Sequence, residues 1–253
     1  MTKWDFEGQV VLITGGAGGL GIDLSHAYTE AGAKVYVCDW SETNIKQMRD
    51  TMSAVSHRGS YEAEVVDVRS VKELQDWVER VIQKEGKADI LINAAGICPT
   101  ASYSEVTEAI WDDVVDVNMK SAFFATQAIA ASMKEHGYGR IVNVSSVGAH
   151  TGGAIATPPY AAAKAGMLAV TKSFANALSP FGICVNTVAP GPFDTVMIAD
   201  FPKATMERIV ASTPTRRVGQ TGDVVQAILF MSDRSTSHIT GATLDVNGGL
   251  YMR

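Results

Sequence analysis

A glycine stretch, Thr14-Gly15-Gly16-Ala17-Gly18-Gly19-Leu20-Gly21, joins an apolar run at 10–13 to a helical pattern that begins near Leu20. Strand, tight turn and helix start are implied in that order, and no other feature limits the fold as strongly. Without β-carbons the backbone can bend sharply and let a bulky anion approach its N–H groups. The first turn of the following helix adds unpaired N–H groups and the positive end of its dipole, which together suit a pyrophosphate. A second apolar run, 34–38, ends at Asp39, where a carboxylate can accept from the ribose hydroxyls of a dinucleotide. The glycines fit two registers, Gly16-x-Gly18-x-x-Gly21 and Thr14-Gly15-x-x-x-Gly19-x-Gly21, so their individual roles stay open at this level.

Beyond the turn, helical and strand patterns alternate. A helix over 19–31 stops at Gly32, a strand covers 34–38, a polar helix 41–55, and a strand 61–66. Ser70-Val71-Lys72-Glu73 reads as a capping box that opens a helix carrying Leu74, Trp77, Val78 and Val81. Strands at 90–92, 140–144, 183–188 and 243–246 are separated by helices over 108–135, 159–178 and 221–231. This spacing predicts an α/β fold: a single Rossmann-type doubly wound parallel sheet of about seven strands, with helices on both faces. One dinucleotide-binding domain over 1–253 is expected, with an irregular, proline-containing substrate loop at about 190–213.

A net charge of −6 without a basic run argues against nucleic acid or an anionic membrane surface as a partner. Charges at 1–7 stand where a signal peptide needs an apolar core, and no apolar run reaches membrane-spanning length, so a cytoplasmic location is expected. Cys38, Cys98 and Cys184 are odd in number and far apart, which fits neither a disulfide framework nor a metal site. The sequon Asn143-Val144-Ser145 falls inside an apolar strand and is discounted.

Tyr160-Ala161-Ala162-Ala163-Lys164 places a phenol and an ammonium one turn apart on the same helical face. A tyrosine with a pKa near ~10 is a poor base at neutral pH unless positive charge favours the phenolate. Lys164 can supply part of that charge and an oxidised nicotinamide ring more. Ser145 and Ser146 end the strand before this helix, where a hydroxyl can donate to a reacting oxygen. Asn118 lies mid-helix, a poor position for asparagine, and points to a local kink that holds a water joined to Lys164.

With these residues in place, the chain resembles the short-chain dehydrogenase/reductase family over essentially its whole length. The resemblance rests on Thr14-Gly15-x-x-x-Gly19-x-Gly21, Asp67-Val68, Asn93-Ala94-Ala95-Gly96, Asn118, Ser146, Tyr160-x-x-x-Lys164 and Pro190-Gly191-x-x-x-Thr195. It implies Tyr160 as general acid/base, Ser146 as the group that polarises the substrate oxygen, Lys164 as the ribose ligand that lowers the tyrosine pKa, and Asn118 as the anchor of a proton-relay water. The implied cofactor set is Gly15, Gly18, Gly19, Leu20, Gly21, Asp39, Trp40, Asp67, Val68, Asn93, Ala94, Ala95, Gly96, Tyr160, Lys164, Pro190, Gly191, Phe193 and Thr195. Within it Asp67 and Val68 would hold the adenine, Asn93 would steady the sheet, and Val188 with Thr195 would reach the nicotinamide carboxamide. Gly148, His150, Ala156, Pro192 and Phe193 join Ser146 as expected substrate contacts.

Two departures stand out. Ala94 replaces a second asparagine common in the family, and 147–159 is one residue longer than the usual spacing, which leaves Ser145 open as a substitute for Ser146. Asp39 would repel a 2′-phosphate, and neither the glycine turn nor Trp40 offers a cation to bind one, so NAD is expected over NADP. The expected activity is NAD-dependent interconversion of a secondary alcohol and a ketone. Alternatives are an NADP-dependent acyl or polyol carbonyl reductase, and a dinucleotide sensor without catalysis. By the same resemblance the helices at 108–135 and around Tyr160, with Gly248-Gly249-Leu250-Tyr251, imply a homotetramer.

Overall fold

The computed structural model describes residues 4–54, 57–152, 157–194 and 203–253. Seven strands run parallel in one sheet: β1 (Val10–Thr14), β2 (Lys34–Asp39), β3 (Ser60–Val65), β4 (Ile90–Asn93), β5 (Gly139–Val144), β6 (Ile183–Pro190) and β7 (Thr243–Val246). Their spatial order is β3-β2-β1-β4-β5-β6-β7, so the chain reverses its direction of growth between β1 and β4. Register places Thr14 beside both Cys38 and Asn93, which brings three carboxyl ends together at the reversal.

Alternation along β1 explains the layers. Val11 and Ile13 pack with Leu24 and Tyr28 of α1 (Gly19–Glu30), Met48 of α2 (Glu42–Ser53) and Ile228 of α9 (Thr221–Ser232). Val10 and Leu12 face the other side, against Trp77 of α3 (Val71–Glu85), Ile129 of α5 (Ser121–His136) and Leu178 of α7 (Pro158–Leu178). Period-two burial on both faces is what a parallel sheet covered by crossover helices requires.

The predicted helix over 108–135 is α4 (Glu108–Val115) and α5, joined by a widened turn of the π type at Asp116–Lys120. Asn118 lies at the middle of that widened turn. Three local expectations are corrected. The capping box at Ser70 is half built: Ser70 Oγ accepts from Glu73 N, but the Glu73 carboxylate turns to Asp67 N instead of Ser70 N. The interval 147–159 begins with a short helix, α6 (Gly148–Thr151), and the irregular stretch 190–213 contains α8 (Lys203–Ser212). Only Ile209 of α8 is buried, too few apolar positions to write a helical period into the sequence.

Candidate active site

The reversal between β1 and β4 opens a crevice at their carboxyl ends, and the glycine turn lines it. Gly15 has φ +64°, and a Cβ there would stand 2.7 Å from Ala95 Cα. A Cβ at Gly16 would come within 2.6 Å of Val37 Cγ1, and one at Gly21 would overlap the Gly15 carbonyl oxygen. Gly18 would meet only Gly15 O, at 3.6 Å. Packing thus requires Gly15, Gly16 and Gly21, while Gly18 faces open space. After Gly18, α1 starts at Gly19 and Leu20 with no side-chain cap and no acid in its first turn, so its N–H groups and dipole are available to an anion. The far wall of the crevice is the segment from Asn93 to Gly96, tied across by Ala95 N donating to Thr14 Oγ1 at 3.2 Å. A backbone cradle of this shape fits a dinucleotide pyrophosphate.

Asp39, the last residue of β2, is buried and accepts from Ser41 N at 3.0 Å, from Ala17 N and from the Asn44 side chain. Burial pushes its carboxyl upward while these bonds pull it back. Trp40 beside it is 66% exposed. The sequence reading missed Arg69, whose guanidinium lies 5.8 Å from the Trp40 ring. Arg69 forks the Asp67 carboxylate at 2.7 and 2.9 Å and reaches Asp113 at 2.8 Å. The bond from Arg69 holds the Asp67 carboxyl below its ordinary range. Any adenine contact made by Asp67 would share its carboxylate with Arg69, whereas Val68 is buried against the core.

At the end of β5 the two serines part. Ser145 Oγ donates to Lys164 O at 2.8 Å and Ser145 N to Val188 O, which makes Ser145 a strut between β5, β6 and α7. Ser146 Oγ accepts from Gly148 N at 3.1 Å and shares a hydrogen bond with the Tyr160 hydroxyl. Ser146 is therefore the serine that faces the phenol. Lys164 Nζ sits 5.7 Å from the Tyr160 ring and donates to Val144 O at 2.8 Å.

Charge at this pair differs from the sequence expectation. Burial pushes the Tyr160 phenol up to about 12, the Cys98 thiol nearby adds to the rise, and the Ser146 bond opposes it. Lys164 is 3% exposed, and burial pushes its ammonium down to about 8. Lys164 does not by itself make the phenol acidic, because both charged forms lose solvation in the same buried place. At neutral pH Tyr160 keeps its proton.

Asn118 is fully buried in the widened turn, and its Nδ2 donates to Val114 O and Ile97 O, each at 2.9 Å. Its Oδ1 is buried with no hydrogen-bond partner among the described residues. A Cβ at Gly96 would lie 2.9 Å from that oxygen and 3.4 Å from Lys164 Nζ, so both groups border the same small space. Asn93 Nδ2 donates to Asn143 Oδ1 at 2.7 Å, Asn143 Nδ2 to Thr171 Oγ1 at 2.8 Å, and Thr171 meets Thr187 at 2.7 Å. This buried polar line ties β4, β5 and β6 to α7. Ala94 packs at the edge of the core beside it.

Pro190 ends β6 and accepts from Val147 N at 2.7 Å; Gly191 N donates to Val246 O at 2.9 Å. Pro192 O accepts from Gly219 N, and Phe193 pairs with Gly219, closing the start of the loop. Thr195 and Ala156 lie outside the described residues. His150 stacks on Tyr251 with ring centroids 4.6 Å apart and places Nε2 3.4 Å from Asp245 Oδ1. Among the described residues no group of three His, Cys, Asp or Glu side chains is arranged to hold a metal, and no helix is long and apolar enough to cross a membrane.

Residues 15–251 match the sequence family described as Enoyl-(Acyl carrier protein) reductase. A 3-oxoacyl-(acyl-carrier-protein) reductase of Thermotoga maritima is 36% identical over 97% of this chain and 99% of its own length. A (hydroxy(phenyl)methyl)succinyl-CoA dehydrogenase subunit of Thauera aromatica is 35% identical over 96% of each chain. Among solved structures, a 3-oxoacyl-(acyl-carrier protein) reductase of Brucella melitensis with bound NAD superposes with a TM-score of 0.88, at 32% identity over 98% of this chain and 93% of that one.

Proposed function

Since the chain belongs to the short-chain dehydrogenase/reductase family, we propose that it is an NAD-dependent oxidoreductase that interconverts a secondary alcohol and a ketone. The observation that carries this reading is the meeting of Ser146, Tyr160 and Lys164 beside the glycine-lined crevice. In reduction Tyr160 gives its proton to the carbonyl oxygen that Ser146 holds, and in oxidation it takes the hydroxyl proton. A phenol that keeps its proton at neutral pH is the form that reduction uses. The dinucleotide, when bound, supplies or accepts the hydride and in its oxidised form adds the positive charge that oxidation needs near the phenol. Lys164 would anchor the ribose, and the unpartnered Asn118 Oδ1, an acceptor that borders the same space as Lys164 Nζ, would hold the water through which the proton leaves.

The preference for NAD rests on Asp39, which would repel a 2′-phosphate, and on Arg69, whose guanidinium is already paired with Asp67 and Asp113. The bound NAD of the Brucella relative supports the same choice. A second reading, a 3-oxoacyl thioester as substrate, is favoured by the Thermotoga relative. We take the protein to be cytoplasmic, in keeping with its free cysteines, and a homotetramer. Turnover of secondary alcohols, plain ketones and acetoacetyl-CoA, measured at 340 nm with each coenzyme, tests the reading. It is sustained by a kcat/KM with NAD(H) at least tenfold above that with NADP(H) on an alcohol or ketone. Turnover confined to acetoacetyl-CoA favours the second reading, and a preference for NADP(H) overturns the coenzyme assignment.

A further inference from the structure

Past β7, residues 247–253 fold into a turn organised by Asn247. Its Oδ1 accepts from Gly249 N and Tyr251 N at 3.0 and 3.4 Å, and its Nδ2 donates to Tyr251 O at 3.1 Å. Gly248 and Gly249 both have positive φ, and the missing β-carbons let the turn press on Thr213, Pro214 and Thr215 just beyond α8. On its other side the turn meets α6. Tyr251 lies flat on the His150 ring, 6° from parallel, and Arg253 binds Asp245 at 2.7 Å while reaching His150 Nε2 at 3.2 Å. Asp245 Oδ1 is buried, makes no hydrogen bond among the described residues, and lies 3.4 Å from His150 Nε2.

These contacts continue inward. His150 belongs to the one-turn helix whose first N–H, on Gly148, donates to Ser146 Oγ. With Gly148 N–H on one of its two lone pairs, the hydroxyl keeps its hydrogen for Tyr160 and the reacting oxygen, in line with its bond to the phenol. A helix of four residues has almost no stability of its own, so its position depends on what its side chains grip. One side of α6 packs on α7, and Val147 N, just before it, donates to Pro190 O; on the side toward the last turn His150 is the grip, and Tyr251 with Arg253 is what it holds.

We propose that Tyr251 and Arg253 are positioning residues, which through His150 fix α6 so that the Gly148 N–H sets the Ser146 hydroxyl for the substrate oxygen. The inference rests on the role given to Ser146 above. The arm runs from the turn at 247–253 through His150 to the serine.

The test is a double-mutant cycle on ethyl acetoacetate with NADH, joined to hydrogen exchange of the intact protein. Tyr251→Ala should lower kcat about tenfold and leave the NADH KM within about twofold, and Tyr251→Phe, which keeps the stacking ring, should restore kcat. In a Ser146→Ala background Tyr251→Ala should change kcat less than about twofold, because the group being positioned is gone. Amides of Gly148–Thr151 should exchange about tenfold faster in Tyr251→Ala while those of Val10–Thr14 stay unchanged. The proposal is overturned by unaltered exchange in α6, by an equal loss of kcat in both backgrounds, or by failure of Tyr251→Phe to rescue. If Ser146→Ala alone leaves kcat intact, the role of Ser146 itself is what falls.

Discussion

At the carboxyl ends of β1 and β2 the site is made of backbone, whereas at the end of β5 it is made of side chains brought from three separate segments. The first half is one continuous stretch in which Gly15, Gly16 and Gly21 have no room for a β-carbon and α1 offers an uncapped end. The second half assembles Asn118, Ser146, Tyr160 and Lys164, and each is held by a bond to a part of the chain it does not adjoin: Asn118 to Ile97, Ser146 and Tyr160 to each other, and Lys164 to Val144. Shape and affinity should therefore be inseparable in the first half, and chemistry separable from fold in the second.

The sharpest way to break that contrast is Tyr160→Phe. The hydroxyl is the reacting group, and the ring carried by α7 is kept, so turnover should fall about a thousandfold while NADH affinity, read by nicotinamide fluorescence, stays within about twofold. A parallel loss of binding would mean that the halves are not independent. The converse substitution is Gly21→Ala, which drives a methyl into the Gly15 carbonyl. It should cost about 2–4 kcal/mol in chemical denaturation and about a hundredfold in NADH affinity together. Gly18→Ala, with its nearest atom at 3.6 Å, should leave stability within about 1 kcal/mol.

The same contrast explains what could be read before any coordinates. Alternating apolar runs fixed the order of strands and helices, and glycine spacing located the turn, because both are local patterns. Strand ends at Thr14, Asp39 and Asn93 run past the apolar residues, since sheet pairing is made by the backbone and continues under a polar side chain. Tyr160 and Lys164 were legible as a pair from their spacing, but not their protonation, which burial decides. Arg69 stands two residues from Asp67 with nothing in its neighbourhood to mark it, and its link to Trp40 exists only after β2 and β3 are laid side by side. His150 reads from its place in the loop as either a substrate contact or a solvated residue; its stacking partner, Tyr251, lies far along the chain, where no local pattern could link the two.

Between the two halves in effect lies Asp39. Asp39→Asn keeps the acceptor oxygen toward Ser41 and removes the charge that would oppose a 2′-phosphate. The ratio of kcat/KM for NAD over NADP should drop about tenfold, with little change in Tm, because the carboxylate's burial already disfavours its charge. An unchanged ratio would locate coenzyme choice elsewhere, with Arg69 the next residue to vary.

The smallest effect is a stability signature of Lys164. Its folded pKa is about 8 against an ordinary 10.5, so between those pH values the unfolded chain binds the proton that the folded chain has released. Stability of the parent should then rise with pH across that window, and below about 8 the full cost of a buried ammonium is carried. Lys164→Met has no such proton. Stability of the parent relative to this variant should grow by on the order of 2 kcal/mol from pH 8 to pH 10.5, whatever the constant offset from leaving Val144 O without its donor. Tyr160, whose pKa is raised from 10 to about 12, pulls stability down above pH 10, but that loss is present in both proteins and cancels in the difference. A flat difference in urea midpoint free energies across the window would mean that Lys164 is solvated in the folded protein, and the buried side-chain half of the site would then be as open as the glycine crevice opposite it.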